Sequence, residues 1–160
     1  DNTIPPSLKA SGIYINNALA KTEAQGNGYD EAIMLSPDGR VSEGSGENLF
    51  LVLDGKLVTP APYNSILIGI TRNTVIELAK NELGMETVHR PISRSELYAA
   101  DECFLTGTAA HVTPVSEIDD RLISGGEIGK VTAQLRDIYA EVIRGKNLKY
   151  RNWCTPVYQR

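Results

Sequence analysis

The apolar run Asn48-Leu49-Phe50-Leu51-Val52-Leu53, stopped by Asp54-Gly55 and resumed at Lys56-Leu57-Val58-Thr59, commits the middle of the chain to a β-hairpin. The segment ahead of it is odd. Ser42-Glu43-Gly44-Ser45-Gly46-Glu47 sets two carboxylates around two glycines directly before the strand. Gly tolerates positive φ and lets backbone approach closely, so a surface turn explains the glycines. It does not explain Glu43 and Glu47. Glycines beside a carboxylate also suit a site where a flat ligand comes close to the main chain, and both readings stand at this point.

The rest of the chain mixes helices and strands. A helical stretch runs from about Ile13 to Gln25 and breaks at Asn27-Gly28. Glu31–Leu35 reads as a short buried strand, and Ser36-Pro37-Asp38-Gly39 as a turn. Ile70 to Leu83 is the clearest helix: Ile76, Ala79 and Leu83 share a stripe that Val75 and Leu78 widen, and Gly84 closes it. A strand at Glu86–Arg90, a short helix at Ser93–Ala99 and a strand at Glu102–Leu105 follow. Val112–Ile118 and Arg121–Ile123 read as a hairpin across Asp119-Asp120. A last helix, Lys130 to about Arg144, is expected to bury Val131, Leu135, Ile138 and Val142, with Trp153 anchoring the tail. No strict βαβ alternation is present, so the expected class is α+β, or a mixed barrel, over a Rossmann sheet.

At 160 residues the chain fits one domain with a proper core. Its formal charge of −4, without a basic run, argues against nucleic acid as a partner. Nothing approaches the ~18 apolar residues of a membrane span, and neither a spanning segment nor a signal peptide is expected. Cys103, Cys154, His89 and His111 are isolated, so no metal site is expected. Two unpaired thiols fit a reducing cytoplasm. Asp1-Asn2-Thr3-Ile4-Pro5-Pro6 reads like a linker leading into a domain of a longer protein, with the boundary at residues 8 and 9.

Three loops and one lysine carry the candidate chemistry. Glu43 lies in the glycine-rich loop before the strand. Leu67-Ile68-Gly69-Ile70-Thr71-Arg72 opens a helix, where free N–H groups and the helix dipole suit a phosphate; N-capping by Thr71 is the plain alternative. Leu105-Thr106-Gly107-Thr108-Ala109-Ala110 is small and hydroxyl-rich at the end of a strand, which suits phosphate or carboxylate oxygens. A lysine is ordinarily a surface charge. Lys9, however, is followed by Ala10, Ser11 and Gly12, and Tyr14 comes close behind; a lysine that must reach a ligand carbonyl needs small neighbours. A Schiff-base lysine, a carboxylate and two phosphate-type loops together describe a site for pyridoxal 5′-phosphate, the carboxylate holding the pyridine nitrogen protonated.

These segments, in this order, resemble the branched-chain aminotransferases and more broadly the fold-type IV pyridoxal-phosphate enzymes. The likeness runs through Lys9-Ala10-Ser11-Gly12-Ile13-Tyr14, Ser42 to Phe50, Gly69-Ile70-Thr71-Arg72, and Gly107-Thr108-Ala109-Ala110 with Thr113-Pro114-Val115. It implies a fold-type IV large domain over residues 9–160, a mixed pseudo-barrel of strands surrounded by helices, after a linker at 1–8. It also implies roles. Lys9 would form the Schiff base and move the proton between Cα and C4′. Glu43 would pair with the pyridine nitrogen, Tyr14 with the phenolic oxygen, and Leu67 would pack on the ring. The Ile70 and Thr71 amides, at the helix start marked by Gly69, and Thr108 would bind the phosphate. Ala109 and Ala110 would offer backbone donors to the substrate carboxylate.

The implied reaction is transamination of L-leucine, L-isoleucine and L-valine with 2-oxoglutarate. Gly46-Glu47-Asn48 favours this branch, because D-amino-acid aminotransferases and aminodeoxychorismate lyases usually carry Ser or Thr before the Asn. Those two reactions, and an inactive cofactor-domain fragment, are the alternatives. Members of the family also carry an N-terminal domain that donates an Arg to the phosphate, and they form homodimers or larger homo-oligomers. No counterpart of that domain is present in this sequence, so the N-terminal half is an expected partner.

Overall fold

The structure is a computed structural model and describes residues 4–158. The expected linker at 1–8 lies partly outside the described residues; within it Pro6–Leu8 form a 3-10 turn. The helices are α1 (Tyr14–Gly26), α2 (Ile70–Leu83), α3 (Arg94–Tyr98) and α4 (Lys130–Ile143). The strands are β1 (Ile33–Leu35), β2 (Val41–Gly44), β3 (Asn48–Leu53), β4 (Lys56–Thr59), β5 (Thr87–His89), β6 (Glu102–Gly107), β7 (His111–Val115), β8 (Glu117–Ile118) and β9 (Arg121–Leu122).

The architecture is α+β. A five-stranded sheet in the order β5-β4-β3-β6-β7 is flanked by two ribbons, β1-β2 and β8-β9. The sheet is mixed: β5 runs parallel to β4, whereas β3 pairs antiparallel with β4 and β6. Strand β3 lies at its centre, which explains its unbroken apolar sequence. Side chains alternate faces along a strand, so a run apolar at every position is buried on both sides. Phe50 and Val52 face α2 and α4, where they pack with Val75, Leu78, Leu135 and Val142. Leu49 and Leu51 face the other way, against Val41, Ile92, Leu97 and Ile123.

The β3–β6 register sets three rows on the helix-facing side. Val52 pairs with Glu102, Phe50 with Phe104 and Asn48 with Thr106. The middle row is a stacked aromatic pair with centroids 5.0 Å apart. At one end, Glu102 is buried and caps α4: its carboxylate accepts from the Val131 amide at 3.0 Å, the Thr132 amide at 2.8 Å and the Thr132 hydroxyl at 2.7 Å. Gly129 permits this, since a Cβ there would fall 2.0 Å from Glu102 Cδ. At the other end stands Asn48, and there the site is built.

Helix α2 and strand β3 have the bounds expected from sequence, and Gly84 takes the left-handed conformation of a C-cap (φ 64). Several other expectations are corrected. The glycine segment is not a loop from its start: Val41–Gly44 is strand β2, paired to β1 through Leu35↔Val41 and Ile33↔Gly44. Glu43 therefore sits on a strand. The expected strand 112–118 is interrupted at Ser116. In α4, Thr132 and Tyr139 are buried with Leu135 and Val142, while Val131 and Ile138 are only partly covered. The tail is anchored by Tyr150, 4% exposed, with Trp153 tilted against it at 4.4 Å and itself 37% exposed.

Candidate active site

Glu43 projects from β2 into a cleft of about 240 Å³ that Lys9, Tyr14, Asn48 and Leu67 also line. Its Oε2 accepts from Asn48 Nδ2 at 2.9 Å and from the Leu67 amide at 3.0 Å. Burial pushes the Glu43 carboxyl up to about 7, opposed by the Leu67 amide and by the Lys9 and Arg72 charges. Both donors meet the same oxygen, so Oε1 remains for a cationic partner. The glycines beside it are not there for a left-handed backbone, which neither Gly44 nor Gly46 adopts. Gly44 instead makes room for Glu47, whose Oε2 would lie 3.0 Å from an added Cβ.

Lys9 closes the Pro6–Leu8 turn in the left-handed region (φ 48), an uncommon conformation for a non-glycine residue. Its Nζ donates to the Tyr14 hydroxyl at 3.1 Å. Helix α1 contributes nothing to the buried core. Polar contacts hold it to the glycine turn: Asn17 Nδ2 donates to Ser45 O at 2.6 Å, and Lys21 pairs at 2.8 Å with Glu31, whose other oxygen accepts from the Ser45 amide at 3.3 Å. The same turn thus orients helix α1, which begins at Tyr14, and the strand that carries Glu43.

The start of α2 joins the cleft through Asn48. Gly69 is the N-cap, and its amide donates to Asn48 Oδ1 at 3.2 Å. Capping by Thr71 is corrected: Thr71 is the second helical residue, and its buried hydroxyl lies 3.5 Å from the Tyr139 hydroxyl. The first helical bond runs from Asn73 N to Gly69 O. The amides of Ile70, Thr71 and Arg72 therefore have no acceptor within the helix, the arrangement that receives an anion. Gly69 is required by proximity, because a Cβ there would fall 2.4 Å from Asn48 Oδ1.

Thr108, Ala109 and Ala110 form the turn between β6 and β7. Gly107 lies against the glycine turn, its added Cβ falling 3.4 Å from Gly46 O, so the two turns adjoin. Thr108 and Ala109 are exposed at the tip and, like Ala110, Ile70 and Thr71, do not line the cleft itself. Lys9, Tyr14, Glu43 and Leu67 are brought together directly, Gly69 through Asn48, and the third loop by its contact with the first.

Two residues were missed from sequence. Asn48, 5% exposed, opens an otherwise apolar strand, and a buried amide in that position was the available signal. Arg72, 2% exposed, donates through Nη2 to Pro60 O at 3.2 Å and to His89 Nδ1 at 2.9 Å. Burial, then the Arg72 charge, holds His89 below its ordinary value. The set as a whole offers a primary amine, a carboxylate and a helix start with free amides. Those three groups match an aldehyde-bearing, cationic aromatic ring with a phosphate.

Comparison with known proteins agrees with this chemistry. Residues 2–118 match the family described as amino-transferase class IV. A probable branched-chain-amino-acid aminotransferase of Aquifex aeolicus is 59% identical over 160 residues, all of this chain and 51% of that protein. The branched-chain-amino-acid aminotransferase of Pseudomonas aeruginosa is 48% identical over 93% of this chain and 48% of its own length. The chain spans about half the length of the curated relatives it matches. Among solved structures, the branched-chain enzyme of Thermobaculum terrenum in its PLP-bound holo form superposes with a TM-score of 0.95 at 49% identity, covering 99% of this chain and 52% of that one. The branched-chain aminotransferase of the archaeon Thermoproteus uzoniensis, solved with norvaline, gives 0.93 at 48%, covering 98% and 52%.

Proposed function

The chain belongs to the class IV amino-transferases, and from that premise we propose that it carries the pyridoxal 5′-phosphate site of a branched-chain-amino-acid aminotransferase acting on L-leucine, L-isoleucine and L-valine with 2-oxoglutarate. The observation that carries the reading is the joint presence of the Lys9 amine and the buried Glu43 carboxylate in one cleft, beside the free amides of α2.

When bound, pyridoxal 5′-phosphate supplies an aldehyde carbon that amines attack and a protonated ring that accepts electron density from Cα. Lys9 provides the amine of the covalent carbon–nitrogen link. Its Nζ would serve as the base and acid that moves the proton between the substrate Cα and the cofactor C4′. Tyr14 holds that amine through its hydroxyl and donates to the ring's phenolic oxygen. Glu43 Oε1 pairs with the ring nitrogen and keeps it protonated, while Leu67 packs on the ring face. The amides of Ile70 and Thr71 and the Thr108 hydroxyl hold phosphate oxygens, and the Ala109 and Ala110 amides receive the substrate carboxylate. Residues 9–160 act as the cofactor-binding domain, joined by an N-terminal half and by further copies in a homo-oligomer.

The test is an absorbance spectrum of the full-length protein with pyridoxal 5′-phosphate, before and after adding L-leucine. A visible band that shifts with L-leucine and is lost in Lys9→Ala supports the assignment. Turnover of D-alanine without turnover of L-leucine would overturn the substrate reading.

A further inference from the structure

Asn48 touches both ends of the site. Its two N–H groups go to Glu43 Oε2 at 2.9 Å and Leu67 O at 2.6 Å, and its Oδ1 accepts from the Gly69 amide at 3.2 Å. We propose that Asn48 is a positioning residue that locks the Glu43 carboxylate and the first turn of α2 into one fixed relation, so that a single amide sets the ring end and the phosphate end of the bound cofactor together. This rests on the pyridoxal-phosphate reading above.

The geometry leaves the amide one orientation. Rotating it by half a turn would set Oδ1 against two acceptors, Glu43 Oε2 and Leu67 O, and would set Nδ2 against the Gly69 N–H. Each arm constrains a different functional group. The Glu43 arm occupies Oε2 and leaves Oε1 as the free oxygen; as a donor to the ionised carboxylate, it also favours that form. The Leu67 arm fixes the residue that faces the ring. The Gly69 arm fixes the N-cap, and with it the direction of the three amides behind it. Asn48 itself is rigid, since its backbone is paired with Thr106 in the β3–β6 ladder and its side chain is buried. A group that reaches three segments from a strand is the kind of support that holds a site in register. Asn48→Asp would keep the shape, lose both donors and turn a like charge toward Glu43. Gly69→Ala would press on the same amide from the far side, without touching the carboxylate.

The test uses the full-length protein with Asn48→Asp and Gly69→Ala, and two readouts other than turnover. The first is the Glu43 carboxyl titration, followed by 13C NMR without cofactor. The second is the 31P resonance of bound pyridoxal 5′-phosphate. Both variants are expected to raise the Glu43 midpoint, Asn48→Asp by ~1 pH unit or more, and to move the 31P resonance. Gly69→Ala keeps the proposal testable if Asn48→Asp fails to fold. An unchanged Glu43 midpoint with a lowered melting temperature in either folded variant would overturn the proposal, leaving Asn48 a structural residue only. Absence of cofactor uptake by the unsubstituted protein would instead defeat the pyridoxal-phosphate reading, and the Glu43 titration would still decide the coupling.

Discussion

Lys9 Nζ donates to the Tyr14 hydroxyl at 3.1 Å, spanning the point where the chain passes from a left-handed residue into helix α1. The bond aims a flexible side chain into the cleft it shares with Glu43. Tyr14→Phe removes that hold while keeping the ring. Turnover of L-leucine should fall about tenfold, the equivalent of one lost hydrogen bond of ~1.4 kcal/mol. The melting temperature should barely move, because Tyr14 is 37% exposed. Steady-state kinetics beside a thermal melt checks both halves.

Glu43 gives a pH signature with a definite sign. Its folded value of about 7 lies above the ordinary 4.5 of a glutamate. The ionised form is therefore disfavoured by folding: the cost is absent below about pH 4.5, grows as pH rises, and is complete above about 7. Glu43→Gln removes it. Without cofactor, the variant should gain stability at pH 8, on the order of 3 kcal/mol, and gain nothing at pH 4. Urea unfolding at the two pH values measures the difference. The same variant should hold pyridoxal 5′-phosphate more weakly, since the ring nitrogen loses its anionic partner.

Ile70→Pro separates the fold from the anion site. The residue takes the first helical position, where an N–H has no helical acceptor and proline fits. Gly69 ahead of it is already extended (φ −69, ψ 144), as a residue before proline must be. Ile70 is 76% exposed, so little packing is lost. The substitution should leave the melting temperature nearly unchanged yet lower affinity for pyridoxal 5′-phosphate roughly tenfold to a hundredfold, the worth of one charge-assisted bond. Equilibrium binding followed by absorbance decides it.

Glu102 supports the fold away from the cleft. Glu102→Ala leaves the start of α4 without its buried acceptor and should cost roughly 2–4 kcal/mol. Gly129→Ala should cost a similar amount by displacing the same carboxylate. Chemical denaturation of both variants gives the magnitudes, and the kcat of the folded fraction should be unaltered.

The parts legible in the sequence were those carried by local signals. Helix α2 shows a clean apolar stripe and a glycine stop, and β3 an apolar run ended by Asp54-Gly55, so their bounds are the observed ones. Lys9 and Glu43 stand in ordered motifs, and the fold brings both to one cleft, whereas Ile70, Thr71 and the turn at Thr108 lie outside its lining. Strand β2 was hidden because Ser42-Glu43-Gly44 has neither alternation nor β-propensity; its pairing with β1 makes it a strand. The burial of Thr132 follows from its hydroxyl serving Glu102, a contact thirty residues away in sequence. Asn48 was visible as a letter in a motif, but its partners lie at positions 43, 67 and 69, and no local pattern says that one amide reaches all three.

The most direct measurement is borohydride reduction of the full-length protein loaded with pyridoxal 5′-phosphate, followed by peptide mapping. Reduction turns a carbon–nitrogen link into a stable label on the lysine that formed it. The expected result is a single pyridoxyl label on Lys9, lost in Lys9→Ala. A label on Lys21 or another lysine, or none on a protein that has taken up the cofactor, would contradict the assignment of this cleft.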